Sequence, residues 1–459
     1  MTTDEHHPPP PTTAFAKKIW ITALLIFGGS LGFLAINLGV PTIAVFDEMY
    51  YVPAAKALLA SNATLNPEHP PLGKYLIALG GGFLGDEPHA WRLMPIIFGA
   101  LALVGLFFWL NVLLCPDPES PKSDPQKAYL TALLGVGFTL LNQVHFVQAR
   151  TAMLDIFAVT FVIWSALAFT LCLSKIRGLP SPRALIYATG SLMGLALASK
   201  WVAVVGLFVL GALTVRYRKL LLPKIGRKHL LMGLMVVPGL IYWLSYLPLT
   251  IMEQTSFNPW NIVSHQFKVL SSMSQFSETH TYSSPWWHWP FMWSPVWYAM
   301  EPDETRSSAR FVLFLGNPFI MWPGIMAVGY SLYRAILKQS SPGLILSLFY
   351  LCFLFFFFFF GRGNNIYYYY FPAATILGPL LALVYFYEWP KFKKPISVAI
   401  LATHLTLAAA FFGYFYPLSA GQSISAREYP QWIWLDSWHL RTKDGKRTPL
   451  ATSQMKVEP

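Results

Sequence analysis

Charged residues are scarce in this sequence. Asp, Glu, Lys and Arg make up 12% of the 459 residues, whereas hydrophobic residues make up 55%. A soluble domain normally carries about 25% charged residues, so the composition excludes an ordinary water-soluble fold. Apolar runs long enough to cross a bilayer, which takes about 20 residues per helix, replace the missing charge. The sequence therefore predicts an integral membrane protein.

Cysteine is also rare. The chain has only Cys115, Cys172 and Cys352. The helix positions given below place Cys115 and Cys172 at cytoplasmic helix ends and Cys352 inside a helix. We therefore expect no disulfide on the extracytoplasmic side.

The basic excess does not form a nucleic-acid-binding patch. The formal net charge is +12, but the basic residues fall at the ends of apolar runs, where the positive-inside rule places them. We interpret the charge as a topology signal with some attraction to anionic lipid, and we expect no nucleic-acid partner.

The apolar runs predict an all-α fold with about eleven transmembrane helices. Residues 1–16 are polar and are predicted to form a disordered cytoplasmic tail, residues 17–416 the transmembrane domain, and residues 417–459 an extracytoplasmic tail. The predicted spans are 19–40, 91–114, 128–146, 153–173, 184–199, 201–215, 229–250, 311–333, 343–360, 366–388 and 396–416.

Basic residues orient these spans. More than half of the Lys and Arg residues lie in the short connections that the scheme places in the cytoplasm, which predicts N-in and C-out. Two long segments, 41–90 and 251–310, then form loops on the extracytoplasmic side. Because long loops are often functional, we expect the chemistry at that surface.

The first outward loop contains two polar motifs. Asp47 and Glu48 are adjacent carboxylates directly after the first span, and the segment 66–74 combines Glu68, His69, the adjacent prolines 70 and 71, and Lys74. An isolated Asp-Glu pair is usually a solvated turn. The acidic and histidine side chains of both motifs could also hold a divalent metal, but their spacing matches no specific pattern, and we predict none.

These motifs resemble the first luminal loop of the protein O-mannosyltransferase family, whose members have the type-C glycosyltransferase fold. Further similar motifs follow in the same order over roughly residues 40–440. They are Trp91-Arg92, the segment 149–155, Ser199-Lys200-Trp201, the segment 280–290, Gly316-Asn317-Pro318 and the segment 413–418. The second loop is too short for the soluble β-trefoil domain of eukaryotic members. The sequence is therefore similar to the shorter bacterial type.

The resemblance implies an inverting transfer of mannose from polyprenyl-phosphate mannose to Ser or Thr of a polypeptide. It implies Asp47 as the general base, with Glu48 holding acceptor or sugar. The side chains expected on the acceptor and sugar side are Tyr51, Glu68, His69 and Trp287. A departing phosphate needs cationic stabilisation, for which we expect Arg150, Lys74, Arg92 and Arg362.

Each of these assignments has a plainer alternative. Lys and Arg at helix ends commonly extend to lipid headgroups, and the Trp286–Trp289 cluster fits an interfacial aromatic belt as well as a platform for sugar. Asp155 lies inside a predicted helix, where a charge is usually paired or functional, and its candidate partners are Lys200 and Arg150.

Two other functions stay open at this stage. One keeps the fold and the lipid-linked donor but uses a lipid or glycan acceptor, or a different sugar. The other is a transporter for a lipid-linked substrate, although such proteins often have internal repeats and none is visible here. The resemblance further implies a bacterial plasma membrane, a possible dimer and no cofactor besides the lipid-linked donor.

Overall fold

Helices make up most of the computed structural model, which describes residues 13–60, 66–251, 263–264, 266–267, 271, 280–304, 307–359, 365–388 and 394–441. The helices of the first half are α1 Thr13–Ala35, α2 Glu48–Leu59, α3 Leu72–Leu84, α4 Pro88–Leu114, α5 Pro125–Leu140, α6 Gln143–Arg150, α7 Leu154–Leu173, α8 Pro182–Ser199, α9 Val204–Arg216, α10 Arg218–Ile225, α11 Arg227–Leu231, α12 Val237–Leu244 and α13 Leu247–Ile251. The second half contains α14 Pro318–Ile336, α15 Ser341–Phe359, α16 Phe371–Ala374, α17 Leu377–Leu383 and α18 Lys394–Ser419.

The apolar helices fit an integral membrane protein. Within the described ranges, seven are long and apolar enough to cross a bilayer, and nine if each of two bent pairs counts as one span. Helices α8 and α14 lie at the two remaining predicted positions, but residues such as Gly, Ser, Tyr, Pro and Arg make them less apolar. The short apolar helix α3 has 13 residues and is not long enough to span.

One predicted span is broken rather than straight. Helices α5 and α6 meet at 68°. Asn317 supports the break, because its side chain donates to the carbonyl of Leu141 at 2.9 Å and its backbone N–H donates to the Asn142 side chain at 3.2 Å. A helix can break at membrane depth where protein groups satisfy the freed backbone in this way.

A small antiparallel sheet corrects the all-α expectation. Its strands are β1 Val296–Pro302, β2 Ser308–Phe314 and β3 Ser423–Ser425, in the order β1-β2-β3. The predicted span 311–333 was therefore wrong at its start, since residues 311–314 belong to β2. The helix begins at Pro318 instead, where the Asn317 side chain accepts from the N–H of Phe319. Aromatic residues in β2 gave the strand the hydrophobicity of a helix.

Glycine lets two helical segments approach closely. A Cβ on Gly190 of α8 would lie 1.7 Å from the carbonyl oxygen of Gly233. Small residues at such crossings allow backbones to pack directly, which is the usual basis of helix association in membranes. By contrast, a Cβ on Gly211 of α9 would have no atom of another segment within 4 Å.

We expect Gly190→Ala to lower the free energy of unfolding by about 1–3 kcal/mol, because the added methyl group must displace backbone. Gly211→Ala is the matched control and should be neutral or slightly stabilising, since Ala favours helix. Thermal unfolding of both variants in detergent measures the difference. Equal melting temperatures would contradict the close contact.

Candidate active site

Asp47 lies at the start of α2, directly after a residue in a strained conformation. Phe46 has φ of +47°, which is uncommon for a residue other than glycine. Its N–H donates to the carbonyl of Tyr298 at 2.9 Å, and its ring stacks on the Tyr298 ring with centroids 4.5 Å apart. Tyr298 in turn stacks on Phe314 at 5.2 Å. The β1–β2 hairpin therefore holds the backbone that presents Asp47.

Two tyrosines contact the Asp47 carboxylate. The hydroxyls of Tyr51 and Tyr368 each donate to Oδ2 at 3.2 Å. Tyr51 is on α2, four residues after Asp47, whereas Tyr368 comes from the turn before α16. The two hydroxyls fix the orientation of the carboxylate from opposite ends of the sequence.

An ion pair lies beside this carboxylate. Lys200, at the C-terminal end of α8, is 2.7 Å from Asp155 at the start of α7. The Lys200 ammonium also lies 4.9 Å from the centre of the Tyr368 ring. Of the two candidate partners of Asp155, the structure thus places Lys200 there. We call Asp47, Tyr51, Tyr368, Asp155 and Lys200 the Asp47 cluster.

The surroundings of Asp47 favour its protonated form. Burial raises the pKa of the carboxyl above its ordinary value, and the Asp155 charge adds to this effect. The Lys200 charge and the two hydroxyl donors lower the pKa without reversing the shift. A carboxylate with a raised pKa accepts a proton more readily near neutral pH.

Glu48 faces away from the cluster and is fully buried. Its carboxylate accepts from the backbone N–H of Val45 at 2.9 Å and of Ala152 at 2.7 Å, and from Arg92 through both oxygens. We expected Glu48 to hold acceptor or sugar. The contacts instead give it a role in positioning the loop.

Arg92, the ion-pair partner of Glu48, also holds the backbone of the first loop. Besides Glu48, it donates to the carbonyls of Leu38, Pro41 and Ile43 at 2.9–3.1 Å. All of its donor groups are thereby directed at the loop and not at an open site.

Two further predicted phosphate ligands are also directed at backbone carbonyls. Arg150 donates to the carbonyls of Leu34, Ile36 and Asn37 at the end of α1. Lys74 donates to the carbonyls of Asn66 and His69, at 2.6 and 2.9 Å. Burial lowers the pKa of Lys74 to about 8, although the charge of Glu68 opposes this shift.

The remaining predicted residues differ in their surroundings. The His69 ring is 5.6 Å from the ring of Tyr51, so the 66–74 segment borders the cluster. Glu68 has a buried Oε2 without a partner among the described groups. Trp287 is 55% exposed, and its ring packs against Trp286. Arg362 lies outside the described residues.

No metal-binding group emerges from the described part of the chain. It contains no group of three His, Cys, Asp or Glu side chains that lie close enough together to bind a metal ion. Asp47 and Glu48 point to different partners, which separates the carboxylates that the metal alternative required.

Sequence reasoning missed Tyr368 and Tyr298. Tyr368 belongs to a run of four tyrosines that marks the outer end of a predicted span, and this run was the available signal. Tyr298 lies in a strand that the sequence had not revealed. Its hydroxyl accepts from Gln148 at 3.0 Å, which ties the hairpin to α6.

Two family models together cover most of the chain. The model for dolichyl-phosphate-mannose-protein mannosyltransferase matches residues 24–254, and the model for the C-terminal four-transmembrane region of protein O-mannosyltransferase matches residues 260–438. The chain belongs to this family.

Curated relatives extend over nearly the whole length. The polyprenol-phosphate-mannose–protein mannosyltransferase of Mycolicibacterium smegmatis (strain MKD8) is 23% identical over 88% of this chain and 90% of the relative. The enzyme of the same name from Mycobacterium tuberculosis is 24% identical over 88% of each chain, and that of Corynebacterium glutamicum is 25% identical over 86% and 88%.

Solved structures share the fold. A protein O-mannosyltransferase complex of S. cerevisiae bound to the sugar donor aligns with a TM-score of 0.71, at 13% identity over 91% of this chain and 93% of the yeast chain. ArnT of Cupriavidus metallidurans bound to undecaprenyl phosphate aligns with a TM-score of 0.56, at 14% identity over 87% of this chain and 64% of ArnT. The fold is thus that of the type-C membrane glycosyltransferases.

We expect Arg92→Met to lower the free energy of unfolding by about 3–5 kcal/mol, because it leaves the buried Glu48 charge without its partner. Arg177→Met is the control, since Arg177 pairs with Glu119 at the surface with its side chain 84% exposed. An exposed pair contributes about 1 kcal/mol or less. Thermal unfolding measures both, and equal losses would contradict a special role of the buried pair.

Proposed function

We propose that this protein transfers mannose from polyprenyl-phosphate mannose to Ser or Thr hydroxyls of polypeptides, with Asp47 as the general base. The observation that carries the assignment of the base is the Asp47 cluster. It combines an oriented carboxylate of raised pKa with an adjacent lysine. Family membership supports the donor and the class of acceptor.

In this proposal, the acceptor hydroxyl approaches Asp47 and loses its proton to the carboxylate as its oxygen attacks the sugar carbon. The bond from that carbon to the phosphate oxygen breaks, and the phosphate leaves on the polyprenyl carrier with its electron pair. Tyr51 and Tyr368 hold the carboxylate in place. This is general-base catalysis with inversion at the sugar.

We propose Lys200 as a further candidate for the phosphate contact that the sequence assigned to other cations. Arg92, Arg150 and Lys74 all donate to backbone carbonyls, whereas Lys200 lies beside the Asp47 carboxylate. A cation at this position can stabilise the charge that develops on the leaving phosphate. Arg362 stays a predicted second ligand.

The proposal also includes an active site on the extracytoplasmic side and a topology of eleven spans, with the N-terminus in the cytoplasm and the C-terminus outside. Besides Asp47 and Tyr51 of the first loop, the residues of the Asp47 cluster come from the start of α7, the end of α8 and the turn before α16. The predicted topology directs each of these helix ends outward. We place the protein in a bacterial plasma membrane, as the bacterial relatives suggest, and a dimer stays a prediction.

We expect Asp47→Asn to abolish mannosyl transfer while the protein folds normally, because an amide cannot accept the proton. The assay uses purified protein, radiolabelled polyprenyl-phosphate mannose and a Ser/Thr-rich peptide. Asp86→Asn is the control, since Asp86 is an exposed carboxylate of the same loop paired with Lys56.

Retained transfer by Asp47→Asn would remove Asp47 as the base. Label in a lipid fraction, with none on peptide, would instead assign the acceptor to lipid. Unfolding of the variant is monitored by size-exclusion chromatography, so that a folding defect is not read as a catalytic one.

The Asp47 pKa also predicts a pH effect. Activity requires the deprotonated carboxylate and should rise with pH through a pKa above the ordinary value of about 4. Tyr368→Phe removes a donor to the charged form, which raises the pKa further. We expect its acidic limb to move to higher pH, because the charged carboxylate loses a hydrogen-bond donor. Tyr369→Phe is the neighbouring control, and a limb that stays in place or moves down in Tyr368→Phe would contradict the contact.

A further inference from the structure

Helix α10 lies across the end of the span that precedes it. The segments Trp201–Arg216 and Arg218–Ile225 meet at 91°. The first segment starts next to Lys200 of the Asp47 cluster and rises about 1.5 Å per residue, so its far end is roughly 20 Å from the cluster. If the span is upright in the membrane, α10 runs parallel to the opposite membrane surface.

This end of the molecule is rich in cations. Arg216, Arg218, Lys219, Arg227 and Lys228 are exposed, and Lys224 is partly exposed. Arg183 joins them, because its side chain donates to the carbonyl of Ile225 at 3.4 Å. We call these seven residues the basic platform. The sequence has no Asp or Glu between Asp155 and Glu253, so the platform has no acidic residue near it in sequence.

The acidic residues in the connection between α4 and α5 have other partners. Asp117 pairs with Lys175 at 2.9 Å and Glu119 with Arg177 at 3.0 Å. Asp124 accepts from the N–H of Lys127 at the start of α5. Within the described ranges, no residue of the basic platform forms a salt bridge. Its positive charge is therefore not neutralised by these groups.

Apolar residues accompany the platform. Leu221 and Ile225 are buried and attach α10 to the protein, whereas Leu220 and Leu222 are 42% and 36% exposed. A helix in the membrane plane with basic and apolar side chains is suited to the boundary between headgroups and acyl chains. A site for a soluble anion would have no use for exposed leucines.

We propose that the basic platform binds the headgroups of anionic phospholipids. Its cations meet the lipid phosphates, and Leu220 and Leu222 contact the upper acyl chains. The positive-inside rule accounts for the sign of the charge. It does not account for a contrast between two basic segments at one end of the molecule, of which 174–177 is paired with acids and 216–228 is not.

Native mass spectrometry tests this proposal. The full-length protein in an uncharged detergent is titrated with phosphatidylglycerol and, separately, with phosphatidylcholine. We expect preferential binding of phosphatidylglycerol, weakened by salt. The triple variant Arg218→Gln, Lys219→Gln and Arg227→Gln should raise the apparent Kd at least about tenfold, since each cation near an anionic surface contributes about fivefold.

Two controls make the result decisive. Lys175→Gln with Arg177→Gln removes the same kind of charge from the acid-paired segment and should leave binding unchanged. Arg218→Lys with Arg227→Lys keeps the charge and should also bind. Equal binding by the triple variant and wild type, an equal loss in the paired-segment control, or no preference for phosphatidylglycerol would overturn the proposal. Displacement by inorganic phosphate at matched concentration would also overturn it, in favour of a free-anion site.

Discussion

The buried pair of Glu48 and Arg92 is the interaction on which the site depends. It joins the end of α1, the first outward loop, α4 and the backbone just before α7 through hydrogen bonds to Leu38, Pro41 and Ala152. Burying two charges has a large desolvation cost, so such a pair is stable only when further hydrogen bonds satisfy both groups. Here they do. The adjacent Asp47 can face the opposite direction because Glu48 is held inward.

Much of the membrane architecture follows from the sequence, because long apolar runs flanked by basic residues are compatible with few structures besides membrane spans. The sequence also named Lys200 as one of two candidate partners of Asp155, but the convergence of this pair on Asp47 is visible only in the structure. The sheet was not predictable in the same way. Residues 311–314 are as apolar as a membrane helix, and only the pairing of β2 with β1 identifies the strand.

The contacts of the cationic residues were harder to predict from the sequence than the positions of the carboxylates. Arg150 and Arg92 occur at helix boundaries, where an arginine can neutralise carbonyls, reach lipid headgroups or bind phosphate with the same sequence signature. The choice depends on which acceptors the fold brings within about 3 Å. Tyr368 is the opposite case. The tyrosine run was interpreted only as the end of a helix, yet Tyr368 donates to the Asp47 carboxylate.

Strand β3 connects the two ends of the chain. Strand β3 pairs with β2, and β2 pairs with β1. In β1, Tyr298 and Glu301 accept hydrogen bonds from Phe46 and Thr42, which precede Asp47 in the first loop. During synthesis, the Asp47 loop reaches the membrane long before β1, β2 and β3 are made. A partly inserted chain therefore contains the Asp47 motif without the strands that order it. The contacts that hold Phe46 and Thr42 can therefore form only after the C-terminal strands have been made.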